Sequence, residues 1–147
     1  MKPTIVLYDS AYLDDIVNIE NVSFSDPWSR DAFESSSRMP LSEIYLALDE
    51  DRLCGYAVIL FIAPECEILN IAVSPEYRRR AIADALVDFV SEEALKKQCE
   101  TLMLEVRESN LPARALYTKH GFNTVGRRKA YYRNPKEDAI LMDKTLV

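Results

Sequence analysis

The chain has 147 residues, the size of one ordinary domain, and its 18 basic and 24 acidic side chains give a net charge of −6. This charge argues against a nucleic-acid-binding protein that uses a broad basic face. The three cysteines have no C-x-x-C spacing and there is one histidine, so the composition predicts neither a disulfide framework nor a metal site and argues against a Ser-His-Asp triad.

The N-terminal segment MKPTIVLYDS reaches charged and turn-forming residues too early for a secretory signal. No apolar run approaches the roughly 20 residues that cross a bilayer. We therefore expect a soluble, cytoplasmic protein with no DNA or membrane partner, a monomer or weak dimer, folded as one domain over residues 1–147.

The first half of the chain predicts a strand, two helices and three further strands, in that order. The second helix follows the turn SFSDPWS and ends before Pro40, because the residue before a proline disfavours helical geometry. The two strands that come next are joined by a polar turn and form a hairpin. The periodicity places these elements at residues 4–8, 13–19, 30–38, 43–48, 53–62 and 67–73.

The second half alternates helices and strands. Residues 82–97 have an apolar stripe at helical spacing, and 101–106 are almost continuously apolar, which predicts a central strand covered on both faces. A short helix at 113–120 ends at Gly121, and two strands follow at 122–128 and 138–146. The pattern indicates an α/β fold of the mixed α+β sandwich type, with a mostly antiparallel sheet, a central βαβ unit and helices on both faces.

A run of three arginines, Arg78 to Arg80, leads directly into the third predicted helix. The N-terminus of a helix binds phosphate groups through main-chain N–H groups and the helix dipole. The turn contains no glycine, so the alternative is a charged, solvated helix start. Both interpretations remain open on the residues alone.

Two side chains in the second half suggest chemistry. Glu105 lies within TLMLEV, where an apolar residue would be cheaper to bury. Tyr117 follows 12 residues later, one short loop and two helical turns away, and can face the same cleft. The structural alternatives are that Glu105 ends the strand and pairs with Arg107 or Arg128, and that Tyr117 packs in the core.

Four motifs follow one another in the chain: EILNIAV, P-x-Y-R-R-R-x-I-x-x-A-L, LEVRESN and A-L-Y-x-K-x-G-F. In this order and spacing they resemble the GNAT acetyltransferase superfamily, most closely its RimI-type branch, the ribosomal-protein-alanine N-acetyltransferases. The resemblance covers nearly the whole chain, including the early DPWS and the late YYRNPKEDAILM. It implies a GNAT acyl-CoA N-acyltransferase fold, acetyl-CoA as donor, no metal, and an acceptor that is the N-terminal alanine of a small-subunit ribosomal protein.

The resemblance also implies roles for individual residues. Glu105 would remove a proton from the acceptor amine, and Tyr117 would give a proton to the departing CoA thiolate. Trp28, Tyr131 and Tyr132 would border the acceptor peptide. The basic and aromatic stretch Arg127 to Arg133, which contains both tyrosines, would also suit a nucleic acid, but the net charge argues against that alternative. The residues implied to hold CoA are Ile71, Ala72, Val73, Arg78, Arg79, Arg80, Ala81, Ile82, Ala83, Asp84 and Asn110.

The turn before the third helix departs from the family at one position. The family pattern is Arg or Gln, two residues, Gly, one residue, then Gly or Ala, and this chain has Ala81 where the first glycine is usual. Main-chain N–H groups and the dipole do not require glycine unless φ is positive or the anion touches the Cα. We therefore expect the turn to bind CoA, with reduced affinity if the alanine methyl interferes.

Two rival functions stay open on the sequence. The first is acetylation of a lysine, a polyamine or another small amine, which uses the same donor site with a different acceptor groove. The second is a non-catalytic module that binds acyl-CoA, or nothing, and interacts with another protein. The retention of Glu105, Tyr117 and Asn110 argues against the second.

Overall fold

The structure is a computed structural model that describes residues 2–147. Its elements follow the predicted order β-α-α-β-β-β-α-β-α-β-β. The strands are β1 (Thr4–Leu7), β2 (Ser42–Asp49), β3 (Arg52–Ile62), β4 (Glu65–Val73), β5 (Thr101–Arg107), β6 (Asn123–Tyr132) and β7 (Glu137–Thr145), and the helices are α1 (Leu13–Ser23), α2 (Arg30–Arg38), α3 (Ile82–Lys96) and α4 (Leu111–Lys119).

All seven strands belong to one sheet, in the order β1-β2-β3-β4-β5-β7-β6. Every neighbouring pair is antiparallel except β4 and β5, which are parallel. Helix α3 connects these two strands, so the central βαβ unit predicted from the sequence is confirmed. The mixed, mostly antiparallel sheet is confirmed with it.

The helices cover the two faces of the sheet with separate hydrophobic clusters. The larger cluster lies under α3 and includes Leu86, Val90 and Leu102, each fully buried. The smaller cluster lies under α1 and α2 and contains Ile16 and Phe33, also fully buried. Removing this apolar surface from water supplies most of the drive to form the two layers.

The ends of the short helices are set by local chemistry. The Ser29 side chain accepts a hydrogen bond from the Ala32 N–H at 3.1 Å, which caps α2. Gly121 follows His120, the C-cap of α4, with φ of 92°, a left-handed conformation that glycine adopts without steric cost. No helix within residues 2–147 combines the length and the apolar character needed to cross a membrane.

Strand β5 differs from the prediction that both of its faces are covered. Its residues alternate between buried and half-buried, with the buried set facing α3. The other face carries Thr101, Met103, Glu105 and Arg107, and it is only partly covered because α2 packs over β2 at the far side of the sheet. The nearly continuous apolar composition of β5 concealed this open face.

An irregularity in β4 shapes the centre of the sheet. The β3–β4 register pairs Val58 with Asn70 but Ile59 with Ile68, so Leu69 is an extra residue in a β-bulge. The parallel β4–β5 ladder also ends here, at Ile68 and Leu104. Beyond this point β4 and β5 separate, and β4 remains paired only with β3.

Candidate active site

A cavity of about 220 Å³ opens where β4 and β5 separate. It brings together six of the side chains predicted from the sequence, contributed by five different parts of the chain. The predicted residues that line it are Trp28, Ile71, Glu105, Asn110, Tyr117 and Tyr132. Tyr131 and the residues of the turn at 78–84 are not among its lining residues.

Glu105 projects from the open face of β5 into this cavity. Its Oε2 atom is buried and lies 3.1 Å from Nε of Arg128, yet the pair lacks hydrogen-bond alignment. The structural alternative that pairs Glu105 with Arg128 is therefore observed, as an ion pair. Arg107, the other candidate partner, bonds instead to the Arg133 and Pro135 carbonyls. A carboxylate oxygen without a hydrogen bond has lone pairs free to accept a proton from a bound ligand.

Tyr117 lies on α4, also lines the cavity and is 5% exposed. Its ring packs edge-on against Phe122 with the ring centroids 5.6 Å apart, so the residue also belongs to the core. Burial, with a smaller contribution from Tyr132, raises the pKa of the Tyr117 hydroxyl. The hydroxyl is therefore protonated at neutral pH and available as a donor.

The two tyrosines at the end of β6 have different surroundings. The Tyr132 ring lines the cavity and is covered by the guanidinium of Arg107, 4.6 Å from the ring centroid. Burial, followed by the Glu105 carboxylate, raises the pKa of Tyr132 to about 12. Tyr131 is 51% exposed and packs edge-on against Tyr132. Only Tyr132 faces the reacting centre suggested by Glu105.

Asn110 and Ile71, near the end of β4, both line the cavity. The Asn110 side chain accepts a hydrogen bond from the Ala113 N–H at 3.2 Å and so caps α4. Asn110 also lines the cavity, so its position is compatible both with a helix cap and with the implied contact to CoA. Ile71, Ala72 and Val73 lie beyond the last β4–β5 pair, where main-chain groups of β4 no longer bond to β5.

The turn that leads into α3 has an unusual backbone. Arg79 and Ala81 have φ of 64° and 60°, left-handed values that cost an L-residue about 1–2 kcal/mol. Positive φ, the condition that favours glycine, therefore applies at Ala81. The helix still begins without a side-chain cap, and its first main-chain bond runs from the Ala85 N–H to the Ala81 carbonyl at 3.1 Å. The N–H groups of residues 82–84 thus project from the helix end and can bind an anion.

The three arginines of this turn are held in different ways. Arg78 reaches Ser23 at the end of α1, with Nη2 and Oγ 3.4 Å apart. The guanidinium of Arg80 stacks on the Tyr77 ring, 5.3 Å from its centroid. Arg79, with its positive φ, is exposed. Arg78 and Arg80 thus make contacts within the protein, and Arg79 adds an exposed positive charge to the turn.

Asp84, in the first turn of α3, uses its carboxylate within the protein. Oδ1 lies 2.6 Å from Nζ of Lys119 and 2.7 Å from Nε2 of His120. The hydrogen bond from Lys119, with that of His120, holds the pKa of the Asp84 carboxyl below its usual range. Only the main chain of Asp84 remains for a ligand, and its side chain joins α3 to the end of the helix that carries Tyr117.

Glu20 and Asn70 are cavity residues that the sequence analysis missed. Glu20 is 1% exposed, and its carboxylate accepts hydrogen bonds from the Asn70 amide, the Tyr56 hydroxyl and the Trp28 main-chain N–H. The available signal was the position of Glu20, four residues after Ile16 on the apolar side of α1. Asn70 reaches Glu20 because the bulge at Leu69 turns it towards α1.

Arg107, the last residue of β5, connects the two sides of the cavity mouth. Nη2 bonds to the Arg133 carbonyl at 2.6 Å, and Nη1 bonds to the Pro135 carbonyl at 2.9 Å and to Glu137 at 3.1 Å. On the other side, Nη2 lies 3.5 Å from the Asp26 carboxylate. The planar fork of arginine can serve several acceptors at once, which lysine cannot.

The basic stretch before Tyr131 is largely neutralised by neighbouring acids. Arg127 lies 2.5 Å from Glu108 and 2.8 Å from Asp138, and Arg128 lies against Glu105. This pairing leaves little of the stretch to attract a nucleic acid. Within residues 2–147, no group of three or more His, Cys, Asp and Glu side chains is placed to hold a metal ion.

Residues 13–122 match the Acetyltransferase (GNAT) family. The chain is 37% identical over 135 residues to the putative [ribosomal protein bS18]-alanine N-acetyltransferase of Bacillus subtilis (strain 168), covering 91% of this chain and 89% of that protein. Among solved structures, it resembles the crystal structure of the ribosomal-protein-S18-alanine N-acetyltransferase from Escherichia coli. The TM-score is 0.90 at 32% identity, with 97% of this chain and 93% of that chain covered.

A more distant likeness concerns the fold alone. The crystal structure of Arabidopsis thaliana NAA60 in complex with acetyl-CoA has a TM-score of 0.88 at 20% identity, with 97% of each chain covered. The same fold thus belongs to a protein of very different sequence. The fold implied by the sequence motifs is confirmed.

Proposed function

This chain belongs to the acetyltransferase (GNAT) family, and we propose that it transfers the acetyl group of acetyl-CoA to the N-terminal α-amine of alanine in ribosomal protein bS18. The N-acetyltransferase activity follows from its relatives. The identity of the acceptor, bS18, and the roles of individual residues are what we propose. The observation that carries them is that Glu105 and Tyr117 line one cavity at the point where β4 and β5 separate.

We call the end of β4 and the turn before α3, residues 71–84, the donor wall. The projecting N–H groups at residues 82–84 and the basic turn fit the pyrophosphate of CoA. The unpaired edge of β4 beyond Ile68 fits the amide groups of pantetheine, and pantetheine bound there would bring the thioester near the cavity. Asn110 would hold the same arm from the other side.

We call the α1–α2 segment, residues 24–29, and the β6–β7 turn, residues 133–136, the acceptor wall. Arg107 joins the two parts, and Asn134 also donates a hydrogen bond to Asp26 at 2.8 Å. Trp28 and Tyr132 present aromatic rings between them. An extended peptide N-terminus can lie between these rings with its amine directed at Glu105.

Deprotonation of the acceptor α-amine needs only modest assistance from the protein. An α-amine has a reference pKa near ~7.7–8.0, against ~10.4 for lysine, so a useful fraction of N-termini is already neutral at pH 7. Glu105 takes the proton from the amine as it attacks the thioester carbonyl. Tyr117, kept protonated by burial, gives its proton to the leaving thiolate.

Direct attack in a ternary complex fits the positions of the cysteines. Cys54, Cys66 and Cys99 are free and buried, and all three lie in the cluster under α3. A covalent acetyl-cysteine would need an exposed, activated thiol, and burial instead raises the pKa of Cys54 and Cys66.

The test compares two synthetic peptides with the bS18 N-terminal sequence. One has a free N-terminus and its lysines blocked, and the other has a blocked N-terminus and free lysines. We expect acetyl transfer only to the first, located by mass spectrometry on the α-amine. Transfer only to the second, or to polyamines, would replace the proposed acceptor. Binding of acetyl-CoA without transfer to any amine would support the non-catalytic module.

A further inference from the structure

Glu20 is a buried carboxylate inside the cavity that the proton chemistry does not use. It is 1% exposed, and its partners are neutral groups. A buried charge without a cationic partner is costly unless hydrogen bonds satisfy it. Such a group calls for a functional reason, because an apolar residue in α1 would pack there at lower cost.

The hydrogen bonds of Glu20 occupy the whole carboxylate. Oε1 accepts from the Tyr56 hydroxyl at 2.6 Å and from the Asn70 amide at 2.9 Å, and Oε2 accepts from the same amide at 3.0 Å and from the Trp28 N–H at 2.9 Å. A carboxylate has about four acceptor sites, so none remains for a substrate proton. Glu20 is therefore suited to holding its partners in place and not to acting as a base.

The partners of Glu20 belong to three separate elements. Tyr56 lies in β3, Asn70 lies beside the β4 bulge, and Trp28 lies in the α1–α2 segment of the acceptor wall. Burial and the Glu20 carboxylate raise the pKa of the Tyr56 hydroxyl, which keeps it a donor. The carboxylate thus fastens the acceptor wall to the strand that begins the donor wall.

We infer that Glu20 is a positioning residue for the acceptor: it fixes the Trp28 segment against β4, and so sets the distance between the peptide amine and the thioester. This inference rests on the proposed function, because it assigns the acceptor to the Trp28 side. A misplacement of about 1 Å at such a segment can weaken a reaction severely.

Trp28 is the only tryptophan in the chain, so its fluorescence reports the position of the segment without any substrate. Glu20→Gln keeps the size of the side chain but cannot accept from all of its partners. Glu20→Asp keeps the charge but shortens the reach. Tyr56→Phe removes one donor and leaves Glu20 intact. Tyr45→Phe, a buried tyrosine in the other cluster, is the matched control.

We expect Glu20→Gln, Glu20→Asp and Tyr56→Phe each to raise acrylamide quenching of Trp28. Each should also raise the KM for the acceptor peptide about tenfold, as expected for the loss of a hydrogen bond to a charged group. Because the amine is then misplaced relative to the thioester, kcat for the peptide should also fall, whereas the KM for acetyl-CoA should stay within about twofold of wild type. Tyr45→Phe should leave Trp28 quenching and the acceptor KM unchanged.

The inference is overturned if quenching and acceptor KM stay at wild-type values in folded variants, or if the KM for acetyl-CoA rises in parallel. Wild-type Trp28 quenching and acceptor KM in Glu20→Asp would also overturn the inference. The negative charge alone, without the reach of the glutamate side chain, would then be enough to hold the segment. If Glu20→Gln does not fold, Tyr56→Phe decides by the same criteria. If the wild-type protein acetylates no amine, the proposed function fails, while Trp28 quenching still decides whether Glu20 holds the segment.

Discussion

The donor wall and the acceptor wall are built from different kinds of interaction. The donor wall uses main-chain groups: the free edge of β4 and the N–H groups at the start of α3. The acceptor wall is held by side chains, with Arg107 and Glu20 as its two junctions. Substitutions should therefore be tolerated in the first wall and costly in the second. The proposed catalytic pair between the walls, Glu105 and Tyr117, should be the most sensitive to substitution.

Glu105→Gln tests the centre between the two walls and should have the largest effect. Loss of a positioned base costs about 10²–10⁴-fold in rate, so we expect kcat to fall at least 100-fold at pH 7. Binding of acetyl-CoA, measured by titration calorimetry, should be unchanged because the donor wall is intact.

Glu67→Gln is the matched control for this variant. Glu67 pairs with Met103 beside Glu105, and burial followed by the Glu105 carboxylate raises the pKa of Glu67. It lies outside the cavity lining, so its substitution should leave kcat within a few-fold of wild type. If kcat fell equally in Glu105→Gln and Glu67→Gln, the reaction would depend on the combined negative charge of the two side chains, and Glu105 would have no special role.

Tyr117→Phe should have the second largest effect. Without the donor for the thiolate, kcat should fall about 100-fold while acetyl-CoA binding stays nearly intact. Tyr45→Phe, an equally buried tyrosine away from the cavity, controls for the loss of a buried hydroxyl. A Tyr117→Phe enzyme with normal kcat, or one that loses turnover and acetyl-CoA binding equally, would remove Tyr117 from the mechanism.

Arg107→Lys tests the side-chain junction of the acceptor wall. Lysine keeps the charge but not the fork that serves Arg133, Pro135 and Asp26 together. We expect the KM for the acceptor peptide to rise about tenfold, with the KM for acetyl-CoA unchanged. The same change at Arg127, which pairs with acids outside the cavity, should alter neither. A rise in the acetyl-CoA KM alone would reverse the assignment of the two walls.

Ala81→Gly tests the main-chain character of the donor wall. Glycine relieves the positive φ of 60° at this position, and we expect the free energy of unfolding to rise by about 0.5–1 kcal/mol. The melting temperature should rise by about 2 °C, with acetyl-CoA bound at least as tightly. Ala83→Gly, inside α3, should instead lower stability by up to about 1 kcal/mol. Weaker acetyl-CoA binding in Ala81→Gly would show that the methyl group itself contributes.

Asp84→Asn should have the smallest effect, and its size should depend on pH. Lys119, together with His120, holds the folded-state pKa of Asp84 below its usual value. The resulting stability is present above the unfolded pKa of about 3.9 and is lost as pH falls through the folded-state pKa. The variant should thus be less stable than wild type at pH 7, and the difference should close below about pH 4. A difference that persists in acid would have another origin.

The sequence predicted most of the fold because each element carries its own periodicity. It missed the open face of β5, because Met103 makes that face look apolar although it borders a cavity. It also missed the bulge at Leu69, since bulges depend on the register between two strands and no glycine marks this one.

The two walls were predictable to different degrees. The donor wall follows from a contiguous motif, and the residues that form it lie close together in the chain. The acceptor wall brings together residues far apart in sequence, such as Glu20 and Asn70, or Arg107 and Asp26. Their pairing depends on the tertiary fold, and a lone Glu on an apolar helix face was the only local signal.

The most direct test of the proposed function is the N-terminal mass of bS18 from ribosomes of three strains. One carries the gene, one lacks it, and one carries the Glu105→Gln form expressed at the same level. We expect an acetylated N-terminal alanine in the first strain and a free amine in the other two. Full acetylation of bS18 in the strain without the gene would contradict the assignment of this acceptor to the protein.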